Sequence, residues 1–224
     1  MGRWIDISMA LTDGLRSNHS RPGEEFRITY DITPADDPDK RKTVRRINTR
    51  LHAGTHIDCP EHLVVGGRRV DQFPIETFVG RAVVADMRHK APRGVIAAGD
   101  LEETVGPRLR PGDILIVRTG WNSRYTEPDF FSDSPYFDPD AAQWCIDKRV
   151  KMVAVDCLCD PIAAELQMGE VDAFKRKVLG AGILVMTNAD RLDQITKEEV
   201  TLYGFPLRVS PSEAAPTRAV VWEE

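Results

Sequence analysis

The sequence predicts one mixed α/β domain over residues 1–224, with helices packed on a sheet. Three observations carry this. Strand-like segments crowd the first half of the chain, strand and helix patterns alternate in the second, and no composition break or low-complexity tract divides them. A length of 224 residues suits one large domain or two small ones, and the missing break favours one.

The elements follow in order. WIDISM (4–9) reads as a strand, residues 44–58 as a second and RAVVADM (81–87) as a third. The charged stretch DDPDKRK (36–42) reads as a solvated loop. GDILIVRTGW (112–121) is a strand opened by a Pro111-Gly112 turn. DPDAAQWCIDKR (138–149) starts a helix, with Asp138 as N-cap and Pro139 in the first turn. MVAVDCL (152–158) reads as a buried strand, and residues 170–180 as a helix ended by Gly180 or Gly182. ILVMTN (183–188) and RAVVW (218–222) complete the strands.

Composition excludes several classes. Hydrophobic residues make up 42% and charged residues 29%, an ordinary balance for a packed core. A net charge of -5 argues against a general nucleic-acid surface, and no apolar run approaches the ~20 residues of a membrane span. The N-terminus lacks the apolar core of a signal peptide, and Asp6 stands where a myristoylation signal wants Ser or Thr. Cys59, Cys145, Cys157 and Cys159 form no CxxC pair, which fits free thiols in a reducing cytoplasm. Cys157 and Cys159 read as small buried hydrophobes. GxGxxG and the Walker loop are both absent.

The most informative stretch is RINTRLHAGTHIDCPEH (46–62). Its residues alternate from Arg46 to Asp58, as on a half-buried strand, which places His52, His56 and Asp58 on one face. A helix is disfavoured, because Gly54 would weaken it and Pro60 would stop it. On the strand reading Gly54 lies between the histidines and leaves room for a ligand. Two imidazoles and a carboxylate suit zinc, manganese or iron(II), with an open position for water. The turn at Pro60 brings His62 back toward this group as a general acid or base. His19 and His89 have no comparable company, and His89 is expected to be solvated.

The pattern His52-x3-His56-x-Asp58-x-Pro60-x-His62, with Thr55, resembles the signature of the cyclase-type metal-dependent hydrolases, the family of bacterial kynurenine formamidase and isatin hydrolase. GDILIVRTGW, VDCLCDP, GAGILVMTN and FPLRV with PTRAV resemble the family too, so the likeness runs nearly the whole length. It implies a swivelling β/β/α fold, a homodimer or homotetramer, and hydrolysis of the C–N bond of a small formamide or cyclic amide, or of a lactone. Dinuclear members carry a histidine and a glutamate for a second metal where this chain has Lys175 and Thr187. One divalent ion, zinc or manganese, is therefore expected, unless Glu165 or Glu170 completes a second site. The family's substrate-facing tryptophan is replaced in Ser20-Arg21-Pro22-Gly23-Glu24 by Arg21, which would favour an anionic or hydrogen-bonding substrate; a solvated arginine is the competing reading. Two other functions stand beside the hydrolase: a binding protein that keeps the fold and part of the metal site, and an iron(II) oxygenase built on the same three ligands.

Overall fold

In the computed structural model, which describes residues 2–16, 25–32, 43–160 and 172–224, seven strands close into a ring. Going round, these are β12 (Ala214–Glu223), β11 (Glu199–Pro206), β5 (Val79–Asp86), β7 (Ile114–Arg118), β9 (Met152–Val155), β10 (Leu184–Thr187) and β4 (His56–Asp58), which pairs back onto β12. The steps from β5 to β10 are parallel and the others antiparallel. Each parallel step is bridged by a crossover helix: α1 (Ala98–Val105), α2 (Pro139–Asp147) and α3 (Ala173–Gly180). The long β12 makes closure possible. Residues 214–216 of one edge pair with β4, residues 220–223 pair with β1 (Arg3–Asp6), and β11 takes the other edge. Two small pairings lie apart, β2 (Arg27–Ile32) with β3 (Val44–Asn48) and β6 (Val95–Ile96) with β8 (Tyr136–Phe137).

Strand alternation gives the ring two apolar faces. Val83, Leu115, Val117, Val153, Val155 and Val185 point outward against Leu101 and Val105 of α1, Cys145 of α2, and Phe174 and Val178 of α3. Ala82, Val84, Ile114, Ile116, Met152, Ala154, Leu184 and Met186 fill the interior with Ile57, Leu202 and Val221. Strands buried on both faces read as unbroken apolar runs, which is why ILIV, MVAV and LVM are so plain in the sequence. Asp138 caps α2 by accepting from the Asp140 amide at 2.8 Å. Gly182 follows α3 with φ +82°, and its amide bonds the Leu179 carbonyl. All four cysteines are buried and unpaired. No helix among the described residues is long and apolar enough to cross a membrane.

The structure corrects one central expectation. Residues 44–58 are not one strand. β3 ends at Asn48, a turn follows, and β4 begins at His56. The alternation does not track burial either: β3 is largely exposed, with Ile47 61% accessible, whereas every residue from Ala53 to Pro60 is buried. The break has a local cause at Gly54, whose φ of +59° lies in the left-handed region. Nor does Gly54 leave room for a ligand, since a Cβ there would meet the Leu11 side chain. The strand expected over 152–158 stops at Val155 for a comparable reason. Asp156 turns inward, and its carboxylate accepts from the Thr119 amide at 2.8 Å, the Thr119 hydroxyl at 2.7 Å and the Gly120 amide at 2.7 Å. The charged loop at 36–42 lies outside the described residues.

Three substitutions test these corner devices. Asp156→Ala leaves two backbone donors unpaired in the core and is expected to lower the unfolding free energy by about 2–4 kcal/mol in urea titrations. Burial pushes the Asp156 carboxyl up from 3.8 to about 6 against those three donors. A raised carboxyl pKa contributes stability at low pH that is lost as pH climbs through about 6. Asp156→Asn should remove that part of the pH dependence; an unchanged slope would assign it elsewhere. Gly54→Ala is expected to cost about 1–3 kcal/mol, from the left-handed backbone and the Leu11 contact together.

Candidate metal centre

β4 has three residues and is paired on both edges, with Thr187 of β10 and Pro216 of β12 opposite His56, and Val185 and Ala214 opposite Asp58. This double pairing holds Asp58 in the core with no exposed surface. His56 shares the strand, while His52 comes from the turn before it. The three side chains meet nonetheless. Asp58 Oδ1 lies 2.9 Å from His52 Nδ1 and 3.3 Å from His56 Nε2, and one ligand atom from each residue falls within 4.8 Å of the others.

The surrounding bonds orient both rings. His56 Nδ1 lies 2.8 Å from the Gly54 carbonyl and donates to it, which makes Nε2 an acceptor, 2.8 Å from the Thr187 hydroxyl and 3.3 Å from Asp58 Oδ1. His52 bridges two carboxylates, with Nε2 3.2 Å from Glu213 Oε1 and Nδ1 2.9 Å from Asp58 Oδ1; the Glu213 contact is the one that would hold the ring if Nδ1 turned its lone pair to a metal. The turn is braced in the same way. Asn188 donates to the Gly54 carbonyl at 3.1 Å, and the Thr55 hydroxyl donates to the Asn188 carbonyl at 2.6 Å. Thr55 thus serves the backbone and does not point at the cluster.

Two imidazole nitrogens and a buried carboxylate oxygen this close together form a candidate cation site. Both Asp58 oxygens are buried; Oδ1 faces His52 and His56, and Oδ2 faces the Lys175 ammonium at 3.0 Å. Burial works against charge on His52, but the Asp58 carboxylate outweighs it and holds the imidazole above its ordinary pKa. Burial likewise opposes charge on Asp58, yet Lys175, His56 and His52 keep its carboxyl well below the usual range. Two imidazole nitrogens and a carboxylate, each oriented by an outer partner, fit a divalent metal ion.

His62 ends the 3-10 turn Pro60–His62, and its ring centre lies 4.4 Å from that of His52. Burial pushes its pKa down to about 4, so the ring is a free base at neutral pH. It opens onto a cavity whose wall includes Phe131, Leu158, Lys175, Thr187 and Asn188. Lys175 and Thr187 both stand against the first cluster: the Lys175 ammonium is 3.0 Å from Asp58 Oδ2, and the Thr187 hydroxyl is 2.8 Å from His56 Nε2. Arg21, His19, Glu165 and Glu170 lie outside the described residues, and His89 is exposed.

Several neighbours were not read from the sequence. Glu213 reaches His52 across 161 residues through the β12–β4 pairing, and no local signal marks it. Asp160 binds the Phe174 and Lys175 amides at 2.8 and 3.2 Å and so anchors the first turn of α3; its burial pushes its own pKa up to about 6. Cys159 also lines the cavity, but burial raises its thiol pKa and makes it a poor nucleophile.

Comparison with known proteins agrees with this geometry. The family model described as "Putative cyclase" matches residues 5–159. Kynurenine formamidase of Bacillus thuringiensis (strain Al Hakam) is 26% identical over 220 residues, covering 97% of this chain and 96% of that protein. The Bacillus mycoides (strain KBAB4) kynurenine formamidase is 25% identical over 221 residues, with 98% and 97% covered. Among solved structures, an isatin hydrolase bound to the product analogue thioisatinate superposes with a TM-score of 0.83 at 18% identity, covering 99% of this chain and 92% of that one. Isatin hydrolase A from Ralstonia solanacearum gives 0.81 at 22% identity, with 100% and 92% covered. With more than half its length matched by the family model and its fold shared over nearly every residue, the chain belongs to the cyclase family.

Proposed function

We propose that this protein is a metal-dependent hydrolase that cleaves the C–N bond of a small formamide or cyclic amide, with lactones as a related substrate class. The observation that carries the reading is the convergence of His52 Nδ1, His56 Nε2 and Asp58 Oδ1 beside a cavity that His62 also lines. In this reading those three residues hold one divalent ion, zinc or manganese. When bound, such an ion supplies Lewis acidity toward an acyl oxygen and lowers the pKa of a bound water. The protein's own groups do the rest. Glu213 and the Gly54 carbonyl keep the imidazoles in their ligating tautomers. His62 takes the proton from the attacking water and returns it to the leaving nitrogen. Phe131 and Leu158 supply an apolar wall for the acyl or ring portion, while Asn188 and Thr187 offer polar contacts.

The named activities of the kynurenine formamidase and isatin hydrolase relatives support the amide class. Arg21 is retained as the candidate contact to an anionic or hydrogen-bonding part of the substrate. Assembly as a homodimer or homotetramer and residence in the cytoplasm belong to the same reading; four unpaired thiols support a reducing compartment.

Two experiments test it on a panel of formamides, lactams and lactones. Dialysis against a chelator should abolish turnover, and manganese or zinc should restore it. A panel with no turned-over member would leave the binding-protein reading in its place. His62→Ala should lower kcat by about 10²–10⁴-fold while metal content, read by plasma emission, stays at the wild-type level. Unchanged turnover in that variant removes His62 from proton transfer.

A further inference from the structure

Asp58 divides its two oxygens between different partners. Oδ1 faces the ring nitrogens of His52 and His56, and Oδ2 faces the Lys175 ammonium at 3.0 Å. The lysine is placed there by the fold. It sits in the first turn of α3, where the Asp160 carboxylate binds its backbone amide and that of Phe174. Its side chain is 15% accessible, and the carboxylate it meets is fully buried. We propose that Lys175 is a positioning residue of the metal centre, an internal cation that claims Asp58 Oδ2 and leaves only Oδ1 for the ion. The inference rests on the hydrolase reading above, in which the cluster holds a divalent metal.

The consequences follow from elementary electrostatics. A free carboxylate can chelate one ion through both oxygens or bridge two ions. With Oδ2 held by an ammonium, Asp58 does neither. The lysine is a like charge close to the ion, so it weakens metal binding. It also takes up part of the Asp58 charge, so the ion receives less electron density and stays a stronger Lewis acid. Finally, it balances a buried carboxylate before any metal arrives, which lets the site form in the apo protein. A lysine that served packing alone would make the opposite prediction for affinity, because loosening the site would weaken the metal.

The test is calorimetric titration of manganese or zinc into the chelator-treated chain, for the wild type, Lys175→Met and Lys175→Arg. The wild type should take up one ion. Lys175→Met should bind it at least tenfold more tightly, with a lower kcat and a KM within threefold of wild type. Lys175→Arg keeps the charge and should hold an affinity within threefold of wild type. Unchanged or weaker affinity in Lys175→Met overturns the role of Lys175 while leaving the hydrolase reading intact. Two ions in the wild type overturn it as well. A wild-type chain that binds no ion defeats the hydrolase reading and this inference with it. Should Lys175→Met fail to fold without metal, Lys175→Gln provides a second neutral variant. Recovery of both by metal supports the charge-balancing role, and failure of both to recover overturns it.

Discussion

A carboxylate with no exposed surface must be matched by positive charge, and the placement of Asp58 imposes that demand on this fold. The residue sits in a three-residue strand that closes the ring between β10 and β12. It cannot move toward solvent without opening the sheet. Lys175 supplies that charge from a crossover helix, and the rings of His52 and His56 stand beside the carboxylate from a turn and from the same strand. The centre and the closure of the ring are one arrangement seen from two sides, because the backbone pairing that seals the sheet also aims the carboxylate.

The legible parts of the fold were those buried on both faces. β5, β7, β9 and β10 announce themselves as apolar runs, and α2 by the Asp138-Pro139 start. β11 and α1 gave no such signal. β11 buries only Val200, Leu202 and Gly204 on one face, and Gly204 is small because a Cβ would meet Met186. α1 buries only Leu101 and Val105, too few to set a period. The three candidate ligands were legible because they fall within seven residues, yet for a partly mistaken reason. The alternation of residues 46–58 suggested one strand, whereas a left-handed Gly54 turns the chain and brings His52 in from the side. Partners distant in sequence were not legible. Glu213 meets His52 only through strand pairing, and the contact of Lys175 with Asp58 exists only once α3 has docked.

The outer partners of the cluster differ in kind, and this bears on how the site is held. His56 is fixed by a backbone carbonyl within its own turn, whereas His52 depends on the half-exposed side chain of Glu213, just before β12. His56 and Asp58 are thus set by main-chain geometry that any folded molecule must adopt. His52 is set by two side chains and a turn, and its ring also touches that of His62. Any movement of the His62 ring is therefore transmitted first to His52.

The turn between β3 and β4 also bears on how the family can vary. Sheet pairing fixes Asp58 and His56, while the segment 49–55 carries His52 to its place between Asp58 and Glu213. Gaining or losing one residue at the exposed start of that segment would leave the strand pairings of His56 and Asp58 in register, yet carry one imidazole away from the other two groups. A descendant could in this way lose the three-residue cluster without losing its fold.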